Sequence, residues 1–220
     1  MKKYVFIFIG LLYFSAGKAQ GFDVGVDFYN RYVFRGVDFG SSPSIQPTLA
    51  FSAGGFTIGA WGAFSTGTGI YDSFNEADLF ASYDFDFGLS LLATSYYYPG
   101  SSWFELEDEI SSHAIEVGAA YSVGGFSASA YYMLNDTRYG SGSQGGDTYF
   151  ELGYSISNVD LFIGAGDGWH TVNNNFQVVN IGIAATKEIS ITEKFAIPVK
   201  VAFIVNPNTE QAHIVAGFSL

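Results

Sequence analysis

Seven acids follow one another on predicted strands between residues 76 and 160, with no base on those strands: Glu76, Asp78, Asp84, Glu116, Asp147, Glu151 and Asp160. Wherever two or more fall on one strand they share its parity, and so its face. Carboxylates lined along one surface repel anions, concentrate cations and order water, which is the chemistry of a polar conduit. The bases Arg31, Arg35 and Lys200 lie nearer the two ends of the chain, with Asp27 among them. A closed sheet would bring those ends side by side, setting a basic wall across a lumen from an acidic one. Such a field favours polar solutes with a cation bias. The competing reading is a network of paired charges that closes the lumen, because inward charges in a narrow barrel need partners.

The elements that would hold these residues are strands. In residues 22–35, FDVGVDFYNRYVFR, the even positions read Phe, Val, Val, Phe, Asn, Tyr, Phe, and Asp23, Asp27, Arg31 and Arg35 fall on odd positions. A period of two means a strand with one oily and one wet face. The pattern recurs over 22–35, 44–53, 56–65, 76–85, 89–98, 113–122, 126–134, 147–156, 159–166, 178–186, 195–205 and 211–220. Most of these match the ~9–11 residues that cross a bilayer at a tilt. Connections after alternate strands are short, as at Gly54-Gly55 and Ser157-Asn158, and the others are longer, at 36–43, 66–75, 99–112, 135–146 and 167–177. The alternation falters only at the end, where 187–194 is long and 206–210 short. The fold class expected is therefore all-β, a closed antiparallel up-and-down transmembrane barrel of about twelve strands. A soluble sandwich would have to bury twelve oily faces, more interior than 201 residues can wrap.

Residues 1–19 read as a signal peptide, leaving 20–220 as the barrel domain. Lys2 and Lys3 precede an apolar run over 4–14, too short for the ~20 residues of a spanning helix. Gly17-Lys18-Ala19 then supplies small residues, with cleavage expected before Gln20 or else after Gly17. The formal charge is −12, and −15 once Lys2, Lys3 and Lys18 are removed, which argues against nucleic acid as a partner. There is no cysteine, so neither a disulfide nor thiol chemistry is available. The expected location is the outer membrane, with lipid and lipopolysaccharide, the barrel-assembly machinery and small polar solutes as partners.

Bulky residues share the inward face: Tyr29, Trp61, Phe80, Leu92, Tyr96, Tyr98, Tyr131, Tyr149 and Phe162. They suit packing better than ring binding, and Trp61 is taken with the charged set as lining the pore. The connection Trp103-Phe104-Glu105-Leu106-Glu107-Asp108-Glu109 carries four acids. It reads as a solvated loop, with Ca²⁺ or lipopolysaccharide-bridging ions as the sharper alternative. Gly164-Ala165-Gly166-Asp167-Gly168 has no following Lys or helix, so a phosphate loop is set aside. No G-x-S-x-G motif occurs, and His113, beside Ser112, does not share a strand face with Glu116. No enzyme activity, cofactor or metal is expected.

Tyr32-Val33-Phe34-Arg35-Gly36-Val37 followed by Gly59-Ala60-Trp61-Gly62 resembles the TorF family of porin-like proteins. Pro198, Asn206-Pro207, Glu210 and Val215-Ala216-Gly217-Phe218-Ser219-Leu220 resemble that family's C-terminal end. The resemblance implies an outer-membrane barrel with an inferred transport role and no assigned solute. The final residue departs from the usual aromatic end of such barrels, with Leu220 in that place.

Overall fold

The computed structural model describes residues 20–67, 73–107, 109–137 and 143–220. The signal-peptide reading of residues 1–19, and Asp108 of the acidic connection, lie outside the described residues.

Alternating polarity becomes strand at β1 (Gly21–Tyr29), β4 (Ser44–Ala53), β5 (Phe56–Ser65), β6 (Asn75–Asp84), β7 (Leu89–Tyr97) and β8 (His113–Val123). It continues in β9 (Phe126–Met133), β10 (Thr148–Ile156), β11 (Val159–Gly168), β12 (Asn174–Ser190), β13 (Ala196–Asn206) and β14 (Gln211–Ser219). These twelve pair antiparallel with their chain neighbours, and β1 joins β14, so the sheet closes into a barrel. Between β1 and β4 lies a second, two-stranded sheet, β2 (Val33–Phe34) and β3 (Val37–Asp38).

One face of the barrel wall is apolar and points outward. Leu49, Ile58, Leu79, Leu91, Phe150, Leu152, Ile183 and Phe203 are all exposed, each close to half of its full area. Closure pairs each wall strand with a neighbour on both sides, as hydrocarbon requires of a spanning sheet. An apolar belt of this extent around a closed sheet is the outer surface of a transmembrane barrel. The opposite parity is buried or half-buried and holds the charged and hydroxyl residues.

Glycines on the inward face act as sockets for rings. A Cβ at Gly59, Gly118 or Gly182 would collide with the ring of Phe80, Tyr131 or Phe162 on the adjoining strand. Each ring therefore lies back along the wall instead of projecting across the lumen, covering backbone that glycine leaves bare.

Three boundaries differ from the sequence expectation. The expected strand over 22–35 ends at Tyr29; Asn30 still donates its backbone N–H to the Ala216 carbonyl, and its side chain then donates to the Ile214 carbonyl and accepts from the Ala216 N–H. The expected long links 187–194 and 167–177 are about half strand, since β11 ends at Gly168, β12 runs from Asn174 to Ser190 and the link to β13 is only 191–195. Beyond Thr186 the β12–β13 pair extends past its neighbours as a ribbon. The seam between β1 and β14 has a ladder only over Asp27–Tyr29, flanked by two backbone bonds between Val26 and Leu220 and one from the Asn30 N–H to the Ala216 carbonyl.

Replacing Gly182 by Val should displace the Phe162 ring and cost roughly 1–3 kcal/mol, the usual penalty of overpacking. A lower urea midpoint for the refolded barrel is the expected result. Gly21→Ala, where a Cβ meets nothing within 4 Å, should leave the midpoint unchanged.

Candidate functional site

The chain turns inward after Asn30 and enters the lumen as the β2–β3 hairpin. Its two-residue loop is Arg35-Gly36, with φ of 49° and 81°. Two successive left-handed residues make a type I′ turn, which matches the twist of the strands it joins and is one of the commonest connections of a tight hairpin. Glycine accepts that backbone freely, whereas Arg35 adopts it against its side chain's preference. Gly36 is further required because a Cβ there would strike the Val179 carbonyl. Val179 is the extra residue of a bulge in β12, between the Gly164–Asn180 and Ala165–Val178 pairs, so it and Asn180 are both buried. Asn206, fully buried at the end of β13, donates to the Gly36 carbonyl at 3.2 Å.

This pinning delivers Arg35 to the middle of a charged and aromatic cage. Its guanidinium makes a bidentate pair with Glu116 on β8, at 2.6 and 2.8 Å, and both side chains are almost wholly buried. Tyr131 and Tyr149 each place a ring 4.4 Å from the guanidinium carbon. Tyr96 donates to the same Glu116 carboxylate at 2.9 Å. Burial alone would lower the Arg35 affinity for its proton, but the Glu116 carboxylate outweighs it and holds the guanidinium above its ordinary value. His170, in the link between β11 and β12, lies 3.4 Å from Arg35 through Nε2. A guanidinium only donates, so Nε2 accepts. Burial, with Arg35 beside it, pushes the imidazole well below its usual range and keeps it neutral.

Around the clamp the hairpin fills the half of the lumen nearest the long connections. Tyr32 packs on Trp61 at 5.4 Å, Phe34 stacks on Trp169 at 6.0 Å and meets Tyr96, and Phe39 contacts Phe74 at 5.0 Å. Nearer the barrel wall, Arg31 pairs with Asp38 at 2.7 Å and approaches His213 at 3.5 Å, tying the base of the hairpin to β14.

The other expected pore-lining residues fall at three levels. Glu76 and Asp78 on β6 are buried beside the hairpin. Glu76 accepts from Tyr32 and Tyr98, while Asp78 uses one oxygen on the Tyr97 N–H at 3.3 Å and leaves the other unpartnered. Glu151 accepts from Tyr149 and Asn180 at 2.5 and 2.9 Å. Asp147 sits just before β10, off the strand expected to carry it, against the Gly168 turn. Toward the short turns, Asp160 accepts from Ser155 at 2.6 Å and Asp84 from Ser90. Asp27 and Asp160 are the acids close enough to act on Lys200. A small, water-sized cavity lies in this half, lined by Ser127, Ser129, Ser155, Glu151 and Asp160 together with Tyr154 and Phe162.

The expectation of a basic wall facing a separate acidic wall is corrected here. Arg31 and Arg35 are not wall residues but hairpin residues, and Arg35 reaches into contact with Glu116. The alternation carried on unbroken through the turn because the hairpin strand has the same period as the wall it leaves. Sequence reasoning also passed over Tyr32, Phe34, Asn180, Asn206 and the Trp169-His170 pair as partners of the charge cluster. The signal for the hairpin was present in Arg35-Gly36 between Val33-Phe34 and Val37-Asp38, a two-residue turn flanked by short apolar runs.

A family model described as a bacterial protein of unknown function (Gcw_chp) matches residues 15–206. The chain belongs to the Gcw_chp family. No curated protein matches it. Among solved structures it is similar to the KdgM porin, at 12% identity and a TM-score of 0.49, over 89% of this chain and 97% of that one. It is also similar to a mutant of the Rh. blastica porin, at 14% identity and a TM-score of 0.43, over 80% of this chain. The chain covers 55% of that porin's length. The Gcw_chp barrel described above rests on its own strand pairing.

Removing the Glu116 carboxylate as Glu116→Ala should cost ~3–5 kcal/mol, because it strands a buried guanidinium. Urea unfolding of the refolded barrel measures it. The double replacement Arg35→Met with Glu116→Leu should recover most of that loss, since no charge is then left unpaired.

Proposed function

We propose that the chain is an outer-membrane barrel acting as a narrow channel for passive diffusion of small polar or cationic solutes. The observation that carries this reading is a closed wall, oily outside, whose lumen collects acids at every level from Glu76 to Asp160. The lumen charge favours cations, and beyond the hairpin serine and acid side chains supply polar partners for water. The TorF resemblance supports the same reading at a finer level than the family. Export by the segment 1–19, insertion by the barrel-assembly machinery, and an outer surface in contact with lipid and lipopolysaccharide belong to this proposal, as does the absence of enzyme activity.

A second reading is favoured by the clamp itself. The hairpin, Arg35–Glu116 and the rings around them fill one half of the lumen, as they would in a non-conducting accessory barrel.

Single-channel recording of the refolded chain in a planar bilayer, with a salt gradient, separates the two. The channel reading expects small steady openings with cation preference, and a larger conductance for Arg35→Ala. Strong anion preference sinks the cation lining. Silence from both wild type and Arg35→Ala, each shown to be folded, leaves the accessory barrel.

A further inference from the structure

The connection 98–112 joins β7 to β8. Its first residue, Tyr98, still faces the lumen against Phe74, but Ser101–Trp103 fold the other way, onto the outer wall. Tyr97 and His113 are cross-strand partners on the same face as Leu91 and Tyr121, the face that meets lipid. The Trp103 ring packs edge-on against both, at 4.7 Å from each. The loop is fixed in this position by backbone bonds of its own, from Glu105 N–H to the Ser102 carbonyl and from Ser112 N–H to the Glu105 carbonyl. Tyr97 adds a hydroxyl bond to the Ser101 carbonyl at 2.7 Å.

His113 holds the loop down. Its Nε2 lies 2.8 Å from the Trp103 carbonyl, which only accepts, so Nε2 carries the proton. Nδ1 is left to accept from the Ser95 hydroxyl at 2.9 Å. Ser95, two residues before Tyr97, also shares the lipid-facing parity. Two polar side chains on that face are expensive unless covered and satisfied. Here they satisfy each other and the loop, and His113 is only 5% exposed. Beside this sealed spot the loop leaves large apolar side chains open: Trp103 at 38%, Phe104 at 86% and Leu106 at 68%. They continue the apolar belt beyond the end of the strands, with Glu105 and Glu107 set between and after them.

We propose that the connection 98–112 is a lipid anchor, seating Trp103, Phe104 and Leu106 in the boundary between headgroups and hydrocarbon of the outer leaflet. The inference rests on the outer-membrane reading above. Tryptophan favours that boundary, and amphipathic segments lie ~5–10 Å into it. Continuity with the lipid-facing belt names lipid as the occupant. Glu105 and Glu107 stop the loop from sinking further, since carboxylates stay at the headgroup level. Trp103, Phe104 and Leu106 are thereby committed to the membrane and not to the lumen, where Phe74, Tyr98 and Trp169 pack against the hairpin.

The absence of cysteine makes the test clean. Phe104→Cys, Glu107→Cys and Leu152→Cys each take a single nitroxide, and the labelled barrels are refolded into phosphatidylcholine vesicles. Relaxation of the label by oxygen, which partitions into hydrocarbon, is compared with relaxation by a water-soluble nickel complex. The anchor expects oxygen to dominate at Phe104 and at Leu152 in the belt, and nickel to dominate at Glu107. In parallel, lipids brominated close to the headgroup should quench wild-type fluorescence more than that of Trp103→Phe, because Trp61 and Trp169 both pack inside the barrel. Nickel dominance at Phe104 with oxygen dominance at Leu152 overturns the anchor and leaves the membrane barrel standing. Nickel dominance at both positions overturns the anchor together with the membrane reading.

Discussion

A guanidinium buried inside a barrel has to be answered by a carboxylate, and the interior is arranged around that requirement. Arg35 reaches Glu116 only because the chain leaves the wall at Asn30, turns at Gly36 and presses that turn against a bulge in β12. Each support is costly alone. A left-handed arginine is strained, a bulge breaks the ladder, and a buried Asn206 must find a partner. Together they form one unit, in which the bulge makes room for the hairpin tip and Asn206 holds it there. The bidentate geometry sets the register of the hairpin, since the planar fork of arginine matches a carboxylate in one orientation.

The aromatic residues serve two roles with one chemistry. Rings on the wall lie over glycines, where they thicken the wall without crossing the lumen. Rings on the hairpin, Tyr32, Phe34 and Phe39, do the opposite and bridge from the centre to Trp61, Tyr96 and Phe74. The lumen is therefore divided along its length. The half nearest the long connections is aromatic and clamped, and the half nearest the short turns is lined by hydroxyls and acids.

Much of this was legible in the sequence, because a barrel wall is written in a period of two. The strands Ser44–Ala53 and Phe56–Ser65 begin and end where the alternation and the Gly54-Gly55 turn put them. The inward parity of Glu76, Asp78, Glu116 and Glu151 follows from the same rule. What it could not convey was direction in space. Arg31 and Arg35 keep the parity of β1, so a segment that dives into the lumen reads as more wall. The outward fold of the 98–112 connection was equally hidden. It depends on His113 and Ser95 meeting across two strands, and a pattern along one chain does not show such a pairing.

The narrow β1–β14 seam has a consequence for how the barrel forms. Every other pair of adjoining wall strands is close in sequence, joined through a turn, a loop or, between β1 and β4, the lumen hairpin, so each can zip from its own connection. The seam instead joins Asn30 to Ala216, 186 positions away in the chain. Its closure entropy is borne by the whole wall at once, and the Asp27–Tyr29 ladder offers few bonds to offset it. Among the wall contacts the seam has the greatest sequence separation, so it depends most on the other strands being in place. The Asn30 side chain, bonded to both Ile214 and Ala216, acts as the latch that completes the circle.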